Sequence, residues 1–285
     1  MSAGIFKPNV SRSVFGNVMV FLFLLVFGVF FAFPVVYAII TAFKPMNEIL
    51  IFPPRFFVRH PTVNNFVELS YMADSFWVPL IRYIFNSVFV SVLGTVGHLL
   101  LSSMAAYPLA RHPFPGHHWI KQVVVLSLLF TASVTYLPQY VVMSQLKLIN
   151  TYGALILPAL QSSLGLYLMM NFMGTIPEEM LEAARIDGAR EATIYWRIVM
   201  PNVKPAWLTL IIFSFQGLWN STGGSLVYSE ELKVLPAIMA QITAGGIARA
   251  GVSSAAALIM MLPPVLIFIL SQKSVIQTMS TSGLK

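Results

Sequence analysis

Six stretches of this chain contain no Asp, Glu, Lys or Arg: residues 13–43, 83–110, 122–146, 148–177, 205–229 and 250–272. Each is longer than the roughly 20 mostly apolar residues that carry a helix across a bilayer. The apolar residues run on continuously, as in "VMVFLFLLVFGVFFAF", without the alternation of a barrel strand. Backbone in lipid must satisfy its own hydrogen bonds. The pattern therefore predicts an all-α membrane protein of six transmembrane helices in one domain covering residues 1–285. The spans are placed at roughly 15–42, 83–108, 121–145, 152–173, 205–221 and 252–272. The first run follows Lys7 and Arg12 but is too long for a signal-peptide core, so it is read as a retained span.

Six spans put both termini on one side. Segments on that side carry Lys7, Arg12, Arg111, Lys121, Arg185, Arg190, Arg197, Lys204, Lys273 and Lys285. The opposite segments carry Lys44, Arg55, Arg59, Arg82, Lys147, Lys233 and Arg249. Ten against seven places both termini in the cytoplasm under the positive-inside rule. Two longer outer segments follow, one between Lys44 and Arg82 ("IFPPRFFVRHP") and one Gly-rich, between Ser221 and Arg249.

Composition agrees with the pattern. The chain is 57% hydrophobic and 9% charged, with a mean hydropathy of +0.79, where a soluble domain is about 25% charged. The absence of cysteine excludes disulfides, thiolate chemistry and cysteine-ligated metal. A net charge of +7 fits cytoplasmic loops and lipid headgroups. No Lys/Arg-rich run or stacking platform points to nucleic acid.

One polar island interrupts the apolar runs: "EEMLEAARIDGAREATIYWRIVMP", Glu178 to Pro201, with five acidic and three basic residues. Pro177 suits a first-turn position, and Thr175 is placed to cap, with Glu178 three residues on as in a capping box. Glu178, Glu179 and Glu182 favour the positive end of a helix dipole. Glu182–Arg185 and Asp187–Arg190 have i,i+3 spacing. A helix is predicted to Asp187, then a left-handed stop at Gly188. A second short helix carries Ile194, Trp196, Ile198 and Val199, and Pro201 and Pro205 lead into the fifth span. Two physical readings fit: an amphipathic helix resting on headgroups, or a docking knob whose small residues Ala183, Ala184, Gly188 and Ala189 admit a partner closely.

"EAARIDGAREATIYWRIVMP" resembles the EAA signature of binding-protein-dependent ABC importer permeases, with Glu182, Ala183, Ala184, Gly188, Ile198 and Pro201 in the motif places and Met200 where Leu is usual. "NSVFVSVLGTVGHLLLSSMAAYPLARHPFPG", "LPQY", "INTYGALILP", "FSFQGLWN" and the tail "SQKSVIQTMSTSGLK" resemble further landmarks of carbohydrate permeases of the maltose-transporter type, whereas "WNSTGGSLVYSEELKVLP" is less typical of that group. The resemblance implies a type I ABC importer transmembrane domain in a bacterial inner membrane, importing sugars, with oligosaccharides expected, by alternating access as a heterodimer with a second permease. The island, 174–204, is then a cytoplasmic coupling helix, and 273–285 is a C-terminal tail. Glu182, Ala183, Ala184, Arg185, Asp187, Gly188 and Pro201 are its coupling residues. The implied partners are a second permease subunit, a homodimeric cytoplasmic ATPase and an extracellular or lipid-anchored solute-binding protein. No Gly-x-x-x-x-Gly-Lys phosphate loop occurs. This chain is expected to be no enzyme and to hold no cofactor, with ATP and magnesium in the partner ATPase.

Polar residues inside spans are expensive, and they either bond between helices or line a path. The path candidates are Asn86, Gln139, Tyr140, Asn171, Gln216, Trp219 and Asn220, with His98, Gln161, Tyr136, Tyr167 and Phe215 beside them. Gly245, Gly246 and Ile247, in "ITAGGIARAG", either probe the binding protein or simply connect two spans. His98 reads as structural, and His112, His117 and His118 as interfacial polarity, with no metal site. Other classes remain open: a permease for a non-sugar solute, a stand-alone channel, or a membrane scaffold.

Overall fold

The structure, a computed structural model, describes residues 14–74 and 78–282; for Val14, Asp74, Ala132, Ile247 and 273–282 only the backbone is described. Lys7, Arg12 and Lys285 thus lie outside the described residues, as do the side chains of Lys273 and Ile247. Among the described residues every regular element is helical. Four helical segments are long and apolar enough to cross a membrane: Phe15–Ala42, Leu80–Arg111, Tyr152–Gly174 and Ala250–Gln272. A bent pair, Glu191–Asn202 and Lys204–Trp219, meets at 77° and makes a fifth if counted as one span.

The predicted third span takes a different form. It is divided into α5 (His117–Ser127) and α6 (Ala132–Gln145), each too short to cross alone. The fourth is divided into α7 (Tyr152–Leu160) and α8 (Ser163–Gly174). The last helix runs past the predicted boundary, without a break, to Ser282.

The chain forms two compact units, residues 1–69 with 245–258, and 70–244 with 259–285. In the first unit, α1 (Val14–Ala42) is apolar all round, and none of its most apolar window is buried. A helix of that kind is a membrane element, because water would meet its apolar surface on every side. The segment after it is tightly folded. Asn65 Nδ2 donates to the Ala42 and Lys44 carbonyls at 2.8 and 2.7 Å, while Lys44 Nζ donates to the Arg55 carbonyl. On the one-turn helix α2 (Met46–Ile49), the Glu48 carboxylate accepts the Arg59 and His60 amides at 3.0 and 2.9 Å. The Arg59 amide, and after it that of His60, hold the Glu48 carboxyl below its ordinary pKa. Phe33 and Phe56 stack at 5.0 Å. The helix α3 (Asn64–Asp74) leads out of the segment.

In the second unit, α4 (Leu80–Arg111) is the hub, packing on α7, α8 and α11 (Lys204–Trp219). Its buried side is unusually polar: Asn86, Ser87, Ser91, Thr95, His98, Ser102 and Ser103. Small hydroxyl side chains let helices approach closely in lipid. Gly165 of α8 shows how closely, since a Cβ there would stand 2.2 Å from His98 Nε2. His98 is thus a buried packing residue, with Ser102 Oγ 3.4 Å from its Nδ1. No group of His, Cys, Asp and Glu capable of holding a metal occurs among the described residues.

Candidate functional site

The polar island folds as α9 (Glu178–Ile186), a turn, and α10 (Glu191–Asn202), whose middle at Tyr195–Val199 is a π turn. Gly188 has φ +82°, the left-handed conformation read from its sequence, and its amide bonds back to the Arg185 carbonyl at 3.0 Å. A Cβ at Gly188 would touch nothing within 4 Å, so the backbone angle rather than space selects glycine here.

The start of α9 departs from expectation. Thr175 Oγ1 donates back to the Phe172 carbonyl at 2.8 Å instead of capping, and the N-cap is Pro177. Glu178 forms no capping box. It pairs with Arg111 at 3.1 Å and with Arg185 at 3.5 Å. Arg185 pairs not with Glu182 but with Glu178 and Glu191, the latter at 3.0 Å. Glu182 and Asp187 make no ion pair among the described residues, and both are exposed.

These pairs fasten the island at both ends to the last turns of α4. At one end, Arg111 Nε donates to the Met173 carbonyl at 2.8 Å and its Nη2 to that of Ile176, as its Nη1 meets Glu178. At the other, Glu191 accepts Tyr107 Oη at 2.6 Å and Arg185 Nε at 3.0 Å, with His112 Nε2 at 3.6 Å. The Tyr107 hydrogen bond, and after it that of Arg185, hold the Glu191 carboxyl below its ordinary pKa, while Glu191 raises that of Arg185. Beneath them Leu181, Ala184, Ile194, Tyr195 and Val199 pack on Ala106, Met169 and Met173. Tyr195 Oη donates to Ser103 Oγ at 2.7 Å.

The opposite face is bare. Glu182, Ala183, Asp187, Gly188 and Pro201 are exposed, and Ala184 is buried. Ile186 stands 86% exposed among these charged neighbours. The sequence signal for Ile186 was its phase: it falls off the Leu181–Ala184 face that turns inward.

The path candidates are not brought together in one place. Asn86 is fully buried and wholly engaged: its Nδ2 donates to the Glu231 and Lys233 carbonyls at 2.8 and 2.9 Å, and its Oδ1 accepts Tyr152 Oη at 2.7 Å. Trp219 is buried, with Nε1 on the Met260 carbonyl at 2.8 Å and Phe215 stacked against it. The polar atoms of both are taken up by partners within this chain. Tyr140 packs against Met143, Ala154 and Leu226, Tyr167 against the core beneath the island, and Tyr136 Oη meets Ser225 Oγ at 2.5 Å. Asn171 and Asn220 donate to carbonyls four residues back on their own helices. Gln216 lines a small cavity of about 220 Å³ with Phe215, Pro264 and Phe268.

Gln139 is different. It lines a cleft of about 680 Å³ at the α5–α6 and α7–α8 breaks, with Gln161 Nε2 3.4 Å from its Oε1. Of the Gly-rich residues 242–251, Gly246 has φ +72° and Gly245 lies against the Arg249 side chain.

No protein-family model matches the chain. A putative ABC transporter permease protein of Caldicellulosiruptor sp. is 31% identical over 213 residues, 74% of this chain and 75% of its own length. The arabinooligosaccharides transport system permease protein AraQ of Halalkalibacterium halodurans is 29% identical over 261 residues, 89% of this chain and 91% of its own. A chain of a bacterial ABC transporter that imports the acidic polysaccharide alginate has the same fold, with a TM-score of 0.74 at 22% identity, covering 94% of this chain and 99% of that one.

Proposed function

The chain belongs to the ABC transporter permeases, and from that membership we propose that it is a membrane-spanning subunit of an ATP-driven, binding-protein-dependent importer of saccharides. Its six spans are α1, α4, the pair α5–α6, the pair α7–α8, α11 and α12 (Ala250–Ser282), with both termini in the cytoplasm of a bacterial cell. It pairs with a second permease and works by alternating access. ATP hydrolysis belongs to a separate ATPase, and a solute-binding protein delivers substrate from outside.

One observation carries the reading. The motif segment is bare on one side, at Glu182, Ile186, Asp187 and Gly188, and is braced on the other by Arg111–Glu178 and Tyr107–Glu191. A docking element that transmits force needs both properties. A ligand or nucleotide shifts a conformational equilibrium only through differential affinity for its states, so the element must pass movement of an ATPase to α4 and α8 without yielding. A helix resting on headgroups would need no such bracing.

The reading is tested by purifying the tagged chain from its native membrane in mild detergent and identifying what accompanies it. A second permease and an ATPase are expected, with the ATPase lost on Asp187→Arg, which reverses an exposed charge. A chain that comes away alone even after crosslinking would overturn the reading.

A further inference from the structure

Two of the proposed spans are interrupted near their middles, and both interruptions open on one cleft. Residues 128–131 separate α5 from α6, and Gln161 and Ser162 separate α7 from α8. Backbone outside a helix at membrane depth persists only where protein buries it or where it lines a water-filled cavity. Here it borders the cleft of about 680 Å³, within the range of small-molecule sites. Pro138 and Pro158, which withhold one amide from each broken span, also line it.

The polar lining is Ser127, Thr135, Gln139, Gln161, Ser162 and Ser163. Ser127 Oγ lies 2.6 Å from Ser163 Oγ, joining the two broken spans, and the Gln161–Gln139 contact joins them again. All six side chains are hydroxyls or amides, which both donate and accept hydrogen bonds, as sugar hydroxyls do. Phe130, 63% exposed, offers an apolar face to the C–H side of a ring. Among the described residues no charged side chain lines the cleft. An anionic sugar would surrender water there without meeting a counter-charge.

We propose that this cleft is the saccharide-contacting surface of the chain and that it selects uncharged sugar rings over uronates. The proposal rests on the importer reading above and names the substrate class of that importer. It sets this chain apart from its fold neighbour, whose system imports acidic alginate.

The chain has no cysteine, so Gln139→Cys and Gln161→Cys each place a single thiol in it. The complete importer carrying either variant is treated, in membrane vesicles, with a membrane-impermeant methanethiosulfonate reagent, and labelling of this chain is read by mass. Arabinotriose, xylotriose and maltotriose are the neutral probes, and trigalacturonate is the anionic one. Both thiols are expected to label. At least one neutral trisaccharide should slow labelling about tenfold at roughly ten times its Kd, while trigalacturonate leaves it unchanged. Thiols that do not label, that no neutral probe protects, or that trigalacturonate protects would overturn the proposal. Uptake of the same sugars by the same vesicles separates the two claims. Import of a neutral trisaccharide with unprotected thiols leaves the importer standing and removes the cleft from its path.

Discussion

Arg111, in the last turn of α4, and Glu178, the first residue of α9, are joined at 3.1 Å across 67 positions of sequence. The two ends of the pair are unequal. The Arg111 side chain is 8% exposed and also holds the carbonyls of Met173 and Ile176, whereas Glu178 is 48% exposed. An exposed ion pair contributes about 0–1 kcal/mol, but a buried carbonyl stripped of its donor costs about 1–3 kcal/mol. Arg111→Ala is therefore expected to lower the Tm of the purified protein by several degrees, and Glu178→Gln to leave it nearly unchanged. Thermal unfolding in detergent decides between them. Equal losses would mean that the ion pair, not the carbonyl contacts, fixes this corner.

Gly188 separates a backbone demand from a spatial one. Its φ of +82° is hostile to β-branched residues, yet space beside it is open. Asn tolerates the left-handed region better than other residues with a side chain. On the proposed docking role, Gly188→Val expresses normally and loses sugar uptake per ATP hydrolysed, while Gly188→Asn keeps most of it. The check is uptake and ATPase rate measured together in vesicles. Normal uptake by the Val variant would remove the left-handed turn from the coupling argument.

What the sequence disclosed was whatever depends on near neighbours. The charge-free runs, the motif and the left-handed glycine are local signals, and they reappear at residues 15–42, 80–111, 204–219 and Gly188. The misreadings involve distance. Arg185 had Glu182 at helical spacing but bonds Glu191, which the Gly188 turn carries back toward it. Asn86 and Trp219 show no partner in the sequence, because none stands near a polar group in an apolar run. Their partners are backbone carbonyls 145 and 41 positions away. The break at 128–131 left no trace, since "LLFT" holds neither Gly nor Pro.

Glu191 makes the bracing of the island sensitive to acid. Tyr107 and Arg185 hold its carboxyl below the ordinary value of 4.5, with His112 facing the same oxygens. A carboxyl whose folded pKa is depressed contributes stability that is complete above the unfolded pKa and disappears as pH falls through the folded one. The Tm should thus be level from about pH 7 to about pH 5 with respect to this group, and fall below about 4.5. Glu191→Gln should lower the plateau and flatten the acid limb. Wild type and variant falling in parallel between pH 5 and pH 3 would show that other carboxyls govern the acid limb.

Asn86 offers the sharpest contrast between holding and lining. Its amide nitrogen gives both protons to carbonyls of the segment between α11 and the last helix, at Glu231 and Lys233. Asn86→Asp keeps the shape but turns an acceptor toward two acceptors and places a charge in a fully buried site. Asn86→Ala merely leaves the carbonyls unpaired, with room for water. Tyr152→Phe removes the bond to Asn86 Oδ1 and a longer one accepted from Arg82 at 3.4 Å, a loss of about 1 kcal/mol. The expected order of destabilisation is therefore Asp, then Ala, then Tyr152→Phe, read as hydrogen exchange of residues 224–235 and as Tm. A residue facing a watery path would give the reverse, because hydration would accommodate the carboxylate. An Asp variant as stable as Tyr152→Phe would place Asn86 beside water.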